Sequence, residues 1–218
     1  MKIRYLGHAS FLITSQDGTR IQFDPYEPGG FDGAVAYGPF QEPADIVVVS
    51  HEHADHGYVQ AVPGNPQVVK GPASQTLRGI EFNRHPAYHD TSRGTERGEN
   101  VITSCRVDGV TLCHLGDLGH VLSDEEVKQI GEIGVLMIPV GGIFTLNAAQ
   151  ATQVLQNLAP RICIPMHYRT SKVGFPIAPV DEFLKGKETA KHIGASEVEV
   201  SAEDLPAETE IWVLEHAL

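Results

Sequence analysis

Four side chains able to bind a metal fall within six residues of this chain: His51, His53, Asp55 and His56, in the stretch SHEHADHG that begins at Ser50. Packing gives no reason for such a cluster. Imidazole suits zinc, iron and copper, and a carboxylate adds a harder oxygen donor. Placed at i, i+2, i+4 and i+5 after the short buried strand DIVVVS, these donors fan toward two adjacent points. A catalytic zinc takes three protein ligands and keeps one position open, so the loop begins two sites and completes neither. The missing ligands are expected at other strand ends, where sites on sheets gather. His167 ends the strand ICIPM and Asp117 follows TLCHLG. A further ligand comes from the stretch HPAYHDTSRGTERG after GIEFNR, as His89 or as His85.

The elements that must carry these residues are legible in outline. KIRYLG, SFLIT and TRIQFD read as short strands, the last two joined by a turn at SQDG. Residues 25–44, rich in Gly and Pro, form a long loop of a length that is usually functional. QVVKG and GIEFNR read as strands, and 85–98 as a second loop. VITSCRVDGVTLCHLGD is a hairpin turning at Asp108-Gly109. Ser123 and Glu126 form a capping box that opens a helix. GVLMIPVGG is a strand, and Asn147 caps a second helix with Ala151, Val154, Leu155 and Leu158 on one face, stopped by Pro160. The tail reads as a helix over 180–192 and short strands near 197 and 212. Strands dominate the first half, and strand and helix alternate in the second. No linker or fixed-period repeat divides the 218 residues, so residues 1–218 are expected to form a single α/β domain.

Composition narrows the function classes. The formal net charge of −12 disfavours broad nucleic-acid binding, which needs a basic face. Three cysteines, none in a CxxC, argue against a disulfide framework and for a reducing, cytoplasmic setting. The start MKIRYLGHASFLI has no apolar run of signal-peptide type. Residues 133–160 carry no charge, but Pro139, Gly141, Gly142 and several Asn and Gln interrupt them, so no membrane span is expected. No GxSxG elbow is present, and each cysteine sits in an apolar strand-like run, so no protein nucleophile is apparent. Oligomeric state is left open.

His51-Glu52-His53-Ala54-Asp55-His56 matches HxHxDH, and in this respect the chain resembles the metallo-β-lactamase superfamily. Asp24 at the end of an early strand, LGDLG around Asp117 and PMH at His167 resemble that family's other motifs over roughly residues 1–170. LGHASFLI, HLGDLGH, IPVGGIFTLNA and IPMHYRT are similar to its compact prokaryotic members, including the branch of the ascorbate-lactone hydrolase. The resemblance implies a four-layer αββα sandwich with a dinuclear site at one edge. It implies that His51, His53 and His89 hold one metal, that Asp55, His56 and His167 hold another, and that Asp117 bridges them. HPAYHDTSRG replaces the usual GHTPGH-like motif here, which leaves the choice between His89 and His85 open. Two divalent cations, Zn2+ with Mn2+ or Fe2+ as alternatives, can share a water, lower its pKa toward neutrality and polarise the scissile bond.

Further residues follow from position. Asp24 is expected to orient a ligating histidine or its loop rather than to ligate. His8 is a candidate proton donor or substrate contact and, with Asp55, a candidate catalytic group. His120 and His114 flank Asp117. Gly141 and Gly142 would let backbone approach the site, and Thr145 and Tyr168 are candidate substrate contacts. Phe31, Tyr37 and Phe40 either line the pocket or anchor the 25–44 loop. The activity implied is hydrolysis of a small-molecule ester, lactone or phosphodiester. The alternatives are an iron-dependent oxidoreductase of dioxygenase type on the same scaffold and a non-catalytic, metal-stabilised binding domain.

Overall fold

Alternation along the early strands decides how the chain folds in the computed structural model, which describes residues 1–188 and 190–218. The strands are β1 (Lys2–Gly7), β2 (Ser10–Thr14), β3 (Arg20–Phe23), β4 (Ile46–Val48), β5 (Gln67–Val69), β6 (Gln75–Leu77), β7 (Ile80–Tyr88), β8 (Glu99–Val107), β9 (Val110–His114), β10 (Val135–Pro139), β11 (Ile162–Met166), β12 (Ala190–His192), β13 (Glu197–Glu199) and β14 (Glu210–Val213). The helices are α1 (Asp124–Ile130), α2 (Ala148–Leu158) and α3 (Val180–Leu184). One sheet has the order β13-β1-β2-β3-β4-β5 and the other β12-β14-β11-β10-β9-β8-β7-β6. Ile3, Tyr5, Phe11, Ile13, Ile21, Phe23, Ile46 and Val48 point from the first sheet into the shared core with the second. Their neighbours Leu6, Leu12, Val47 and Val49 point the other way, into a second apolar cluster. Period-two alternation with both faces apolar is what a strand buried on both sides requires.

That second cluster is roofed by Tyr26, Val35, Tyr37 and Phe40 of the 25–44 loop with Val173 and Ile177. The outer layer on the first sheet is thus built from loop and a 3-10 turn at Val59–Ala61, while α1–α3 are the α-helices among the described residues. With two packed sheets and few helices, the architecture is that of the expected sandwich class, its first outer layer made of irregular chain. Tyr37 and Phe40 are buried anchors of that layer, and only Phe31 of the three aromatics expected there reaches the pocket.

Capping follows the sequence. Ser123 Oγ accepts from the Glu126 N–H, and Glu126 Oε2 accepts from the Ser123 N–H, opening α1. Asn147 Oδ1 accepts from the N–H groups of Ala149 and Gln150, opening α2. Ala151, Val154, Leu155 and Leu158 are its buried face. Among the described residues no helix is long and apolar enough to cross a membrane. The uncharged run 133–160 is β10, a turn and α2.

Two expectations need correction. Residues 85–88 belong to β7, not to a loop. The tail helix stops at Leu184, because Gly186 takes φ +72° and 190–192 pairs with β14 as a strand.

Topology brings the predicted ligands to one edge. The pairs β3–β4, β9–β10 and β10–β11 are parallel, so their C-terminal ends point the same way. The antiparallel β7–β8–β9 meander returns the end of β7 to that edge. The sheets are tied together there by the His167 N–H donating to His8 O (2.8 Å) and the Val101 N–H donating to Ser50 O (3.1 Å). The chain is tight at this edge: a Cβ on Gly141 would lie 2.2 Å from His167 O. Gly141→Ala is therefore expected to lower the thermal midpoint by on the order of 5 °C, since overpacking of this kind costs about 1–3 kcal/mol. Calorimetry checks this, and an unchanged midpoint would mean that the end of β11 yields freely.

Candidate metal centre

Asp117 lies at the middle of the gathered side chains. Its Oδ2 is 3.1 Å from His56 Nε2, 3.0 Å from His89 Nε2, 3.5 Å from His167 Nε2 and 3.9 Å from His51 Nε2. The structure brings His51, His53 and His89 together as one group of donors, and His8, Asp55, His56 and His167 as another. A third group, His51, His56 and Asp117, shares members with the first two and spans them. Each group holds its donor atoms within 4.8 Å of one another. All these residues except His53 are buried, and His53 is exposed.

Hydrogen bonds aim the rings. The His56 Nδ1–H donates to Asp24 Oδ2 (2.8 Å), which turns Nε2 toward Asp117. The His51 Nδ1–H donates to Ser50 Oγ (2.9 Å), and the Ser50 hydroxyl donates to Asp24 Oδ2 (2.6 Å). Asp24 Oδ1 accepts the Ser50 N–H at 2.8 Å. One buried carboxylate thus fixes two rings and the start of the loop, and turns Nε2 of each ring toward the cluster. Burial would raise the Asp24 pKa, but His114 and His56 outweigh it and hold the carboxyl below its ordinary value. The His89 Nδ1–H donates to Phe144 O (2.9 Å), so its Nε2 also faces Asp117. His53 Nδ1 lies 3.0 Å from His51 Nε2.

The donor set fits a metal. Six buried polar side-chain atoms have no hydrogen-bond partner among the described residues, and Asp55 Oδ1, His56 Nε2 and Asp117 Oδ1 are three of them. Leaving such groups unpaired costs about 1–3 kcal/mol each, more for charged ones. Burial holds His51 and His167 down to about 3, so both rings are neutral at ordinary pH, the form in which imidazole can bind a metal. Burial also acts to raise the Asp117 pKa, but His167 and His56 pull it well below the carboxylate range.

His85 stays away from the centre. It lies within β7, half-buried, with Nε2 at 3.2 Å from Ser104 Oγ. Of the two histidines in this stretch, His89 is the one that reaches the donor cluster.

Contrary to expectation, His8, Tyr168, His120 and Thr145 do not line the cavity, whereas Gly142 brings backbone up to His89. His8, fully buried at φ +54°, lies behind Asp55, its Nε2–H donating to Asp55 Oδ2 (3.1 Å), and it lines no part of the cavity that would admit substrate. Tyr168 is in the core, its hydroxyl donating to Leu214 O at 3.4 Å. His120 is held away from the centre: its Nε2 accepts from the Tyr88 N–H (3.3 Å) and its Nδ1–H donates to Val121 O (3.1 Å). Thr145 is buried with an unpaired hydroxyl and does not reach the cavity. Gly142, at φ +69°, forms a tight turn in which its carbonyl accepts the Phe144 N–H (2.7 Å). That turn delivers Phe144 O to His89. His114 is a buried spacer, its Nε2–H donating to Ala9 O (2.9 Å) and its ring stacked on Phe23.

Sequence reasoning missed three supports. Arg84 is buried and donates to Gly71 O (2.9 Å), Thr103 Oγ1 (2.5 Å) and Val49 O (2.6 Å), pinning the chain two residues before His51. Asn100 accepts the Asp117 N–H and donates to Leu115 O. Asp90 accepts N–H bonds from Ser92, Gly94, Glu96 and Arg97 at 2.7–3.0 Å. Burial would raise its pKa, but these bonds outweigh it and hold it at about 2, so the 90–98 loop stays clamped at working pH. An Asp followed by polar residues and glycines is the one signal of such a clamp the sequence offered.

A cavity of about 730 Å³ opens over the centre, lined by His53, Asp55, His89, Asp117 and His167 with Phe31, Glu52, Ala54, Glu96, Arg97, Phe144 and Phe175. The cysteines take no part: all three are buried, and burial pushes the Cys105 thiol to about 12.

Residues 2–167 match the beta-lactamase superfamily domain. The structure is similar to the crystal structure of a Thermotoga maritima protein of the metallo-beta-lactamase superfamily. The TM-score is 0.80, the identity 34%, and 98% of each chain is covered. The chain therefore belongs to the metallo-β-lactamase superfamily. Among relatives with curated names, it is 30% identical over 201 residues to a UPF0173 metal-dependent hydrolase of Thermococcus kodakarensis, covering 78% of this chain and 85% of that one. It is 31% identical over 196 residues to one of Carboxydothermus hydrogenoformans, with the same coverage.

If Asp24 aims His51 and His56, Asp24→Asn should weaken zinc binding about 10–100-fold in a chelator competition. His89→Ala should lose affinity in the same assay while His85→Ala keeps it. Equal losses for the two histidines would contradict the assignment.

Proposed function

We propose that this protein is a metal-dependent hydrolase with two divalent cations, zinc first among them. His51, His53 and His89 hold one, Asp55, His56 and His167 the other, and Asp117 lies between. The observation that carries the reading is the convergence of unpaired buried donors on the floor of an open cavity. The family membership and the names of the relatives support it. A metal pair supplies, when bound, a water ionised near neutral pH and an electrophile for the oxygen of the scissile bond.

The protein's own groups do the rest. Asp24, through His56 directly and His51 by way of Ser50, keeps the imidazole lone pairs aimed at the floor. His8 is a positioning residue: its bond to Asp55 Oδ2 fixes that carboxylate and leaves Oδ1 free. His8 is in turn held by the Tyr5 hydroxyl and the His167 N–H, both donating to its carbonyl. The walls bind and orient a small ester, lactone or phosphodiester over the floor and displace water from it. With no activated thiol, the attack on substrate is left to water.

Chelation should abolish hydrolysis of a responsive ester or lactone, and zinc or manganese should restore it. Asp117→Asn, tested after reloading, should lower kcat/KM by at least about 10²-fold. Turnover that survives complete metal removal would overturn the reading.

A further inference from the structure

The cavity walls hold one side chain that the metal chemistry does not use and the fold does not need. Arg97 lines the cavity with its guanidinium 5.8 Å over the Phe144 ring. Its nearest carboxylate is Glu96, its chain neighbour, at 3.9 Å. Its backbone N–H is tied to Asp90 at 2.8 Å, but its guanidinium makes no hydrogen bond among the described residues. A half-exposed arginine with a stretched ion pair is commonly a solvated surface group. Here its carrier argues otherwise. The 90–98 loop is clamped by four bonds to one carboxylate, which is more order than a solvated arginine requires.

The wall that adjoins Arg97 is apolar and comes from separate loops. Phe31, Phe144 and Phe175 meet edge to face, with Phe31–Phe175 centroids at 5.4 Å and Phe144–Phe175 at 5.9 Å. Phe31 is 49% exposed, and Ile143, next to Phe144 in the chain but outside the cavity lining, is 54% exposed. Both take left-handed backbone conformations, φ +54° and +61°. Such strain in non-glycine residues, the second β-branched, persists where the surroundings enforce it and collects at ligand sites. Partly exposed phenyl rings such as Phe144 and Phe175, beside a cation, recognise an apolar body carrying an anion. Among the described residues Arg97 is the one lysine or arginine lining the cavity, set against Glu52 and Glu96 and a chain of net charge −12, so it is the point where an anion would be held.

We infer that Arg97, Phe144 and Phe175 form a substrate-selecting subsite for an ester or lactone whose apolar body carries a carboxylate away from the scissile bond. This deepens the hydrolase reading and rests on it for the word substrate. The recognition itself is tested by binding, independently of turnover.

Two probes separate the contributions: 4-phenylbutyrate, and the same molecule with a second carboxylate on the ring, 4-(4-carboxyphenyl)butyrate. Both offer the butyrate carboxylate to the metals, and only the second offers another to Arg97. Calorimetric titration of the zinc-loaded full chain should show the dicarboxylate binding at least about tenfold tighter, as expected for one charge-assisted contact. Arg97→Gln should bring the ratio close to one, Arg97→Lys should keep part of it, and Phe175→Ala should weaken both probes. Circular dichroism and bound zinc verify that each variant is folded and loaded. A ratio near one in the wild type, or a ratio that Arg97→Gln leaves intact, overturns the subsite. An ester and lactone screen on the same preparation judges the hydrolase reading separately: preferential binding without turnover would remove that reading and leave the subsite standing.

Discussion

The structure is organised around the burial of one carboxylate among imidazoles. Asp117 is buried with four histidine Nε2 atoms within 3.9 Å, and Asp55, His53 and His8 join the cluster around it. Burying that many polar groups is unfavourable unless each finds a partner, and protein groups alone leave several without one. Bound cations satisfy such a set and neutralise the carboxylates. The rest of the molecule can be read as the apparatus that keeps these donors from turning aside to ordinary hydrogen bonds. Two sheets with a shared core place strand ends at one edge, and glycines let the loops beyond them close up.

The apparatus is layered. Asp24 and Ser50 aim rings, Arg84 pins the chain at Val49, and Asn100 holds the backbone of Asp117. Arg84 has three neutral acceptors and no carboxylate partner among the described residues, and burial lowers its pKa only to about 10, so it stays charged. Outside these lie the cavity walls, which come from loops rather than from the sheets. That division lets one rigid floor serve different substrates as the loops change.

How much of this was legible follows the range of the interactions. The cluster at 51–56 was readable because its spacing is local, and Asp117 and His167 because each closes a strong apolar strand. The choice between His85 and His89 was not, because Pro86 signals a break. β6 reaches only Phe82 along β7, so Pro86 lies where the strand is paired on one side and its missing N–H leaves no bond unmade. The tail helix was overextended because β12 forms by pairing with β14, a segment some twenty residues later that local pattern cannot reveal. His8 was seen as a candidate contact, yet its burial behind Asp55 depends on how the β1–β2 turn meets His167 across the sheets. Arg97 and Phe175 carry no signal until the loops are folded.

The central claim is that the buried cluster is a site for two cations in one chain. The most direct measurement is elemental analysis of metal-free protein reconstituted with excess zinc and then desalted. Two zinc ions per chain are predicted, with one lost on removing His53 and the chain still folded. One ion per chain that survives the loss of His53, or none after reconstitution, would contradict the account.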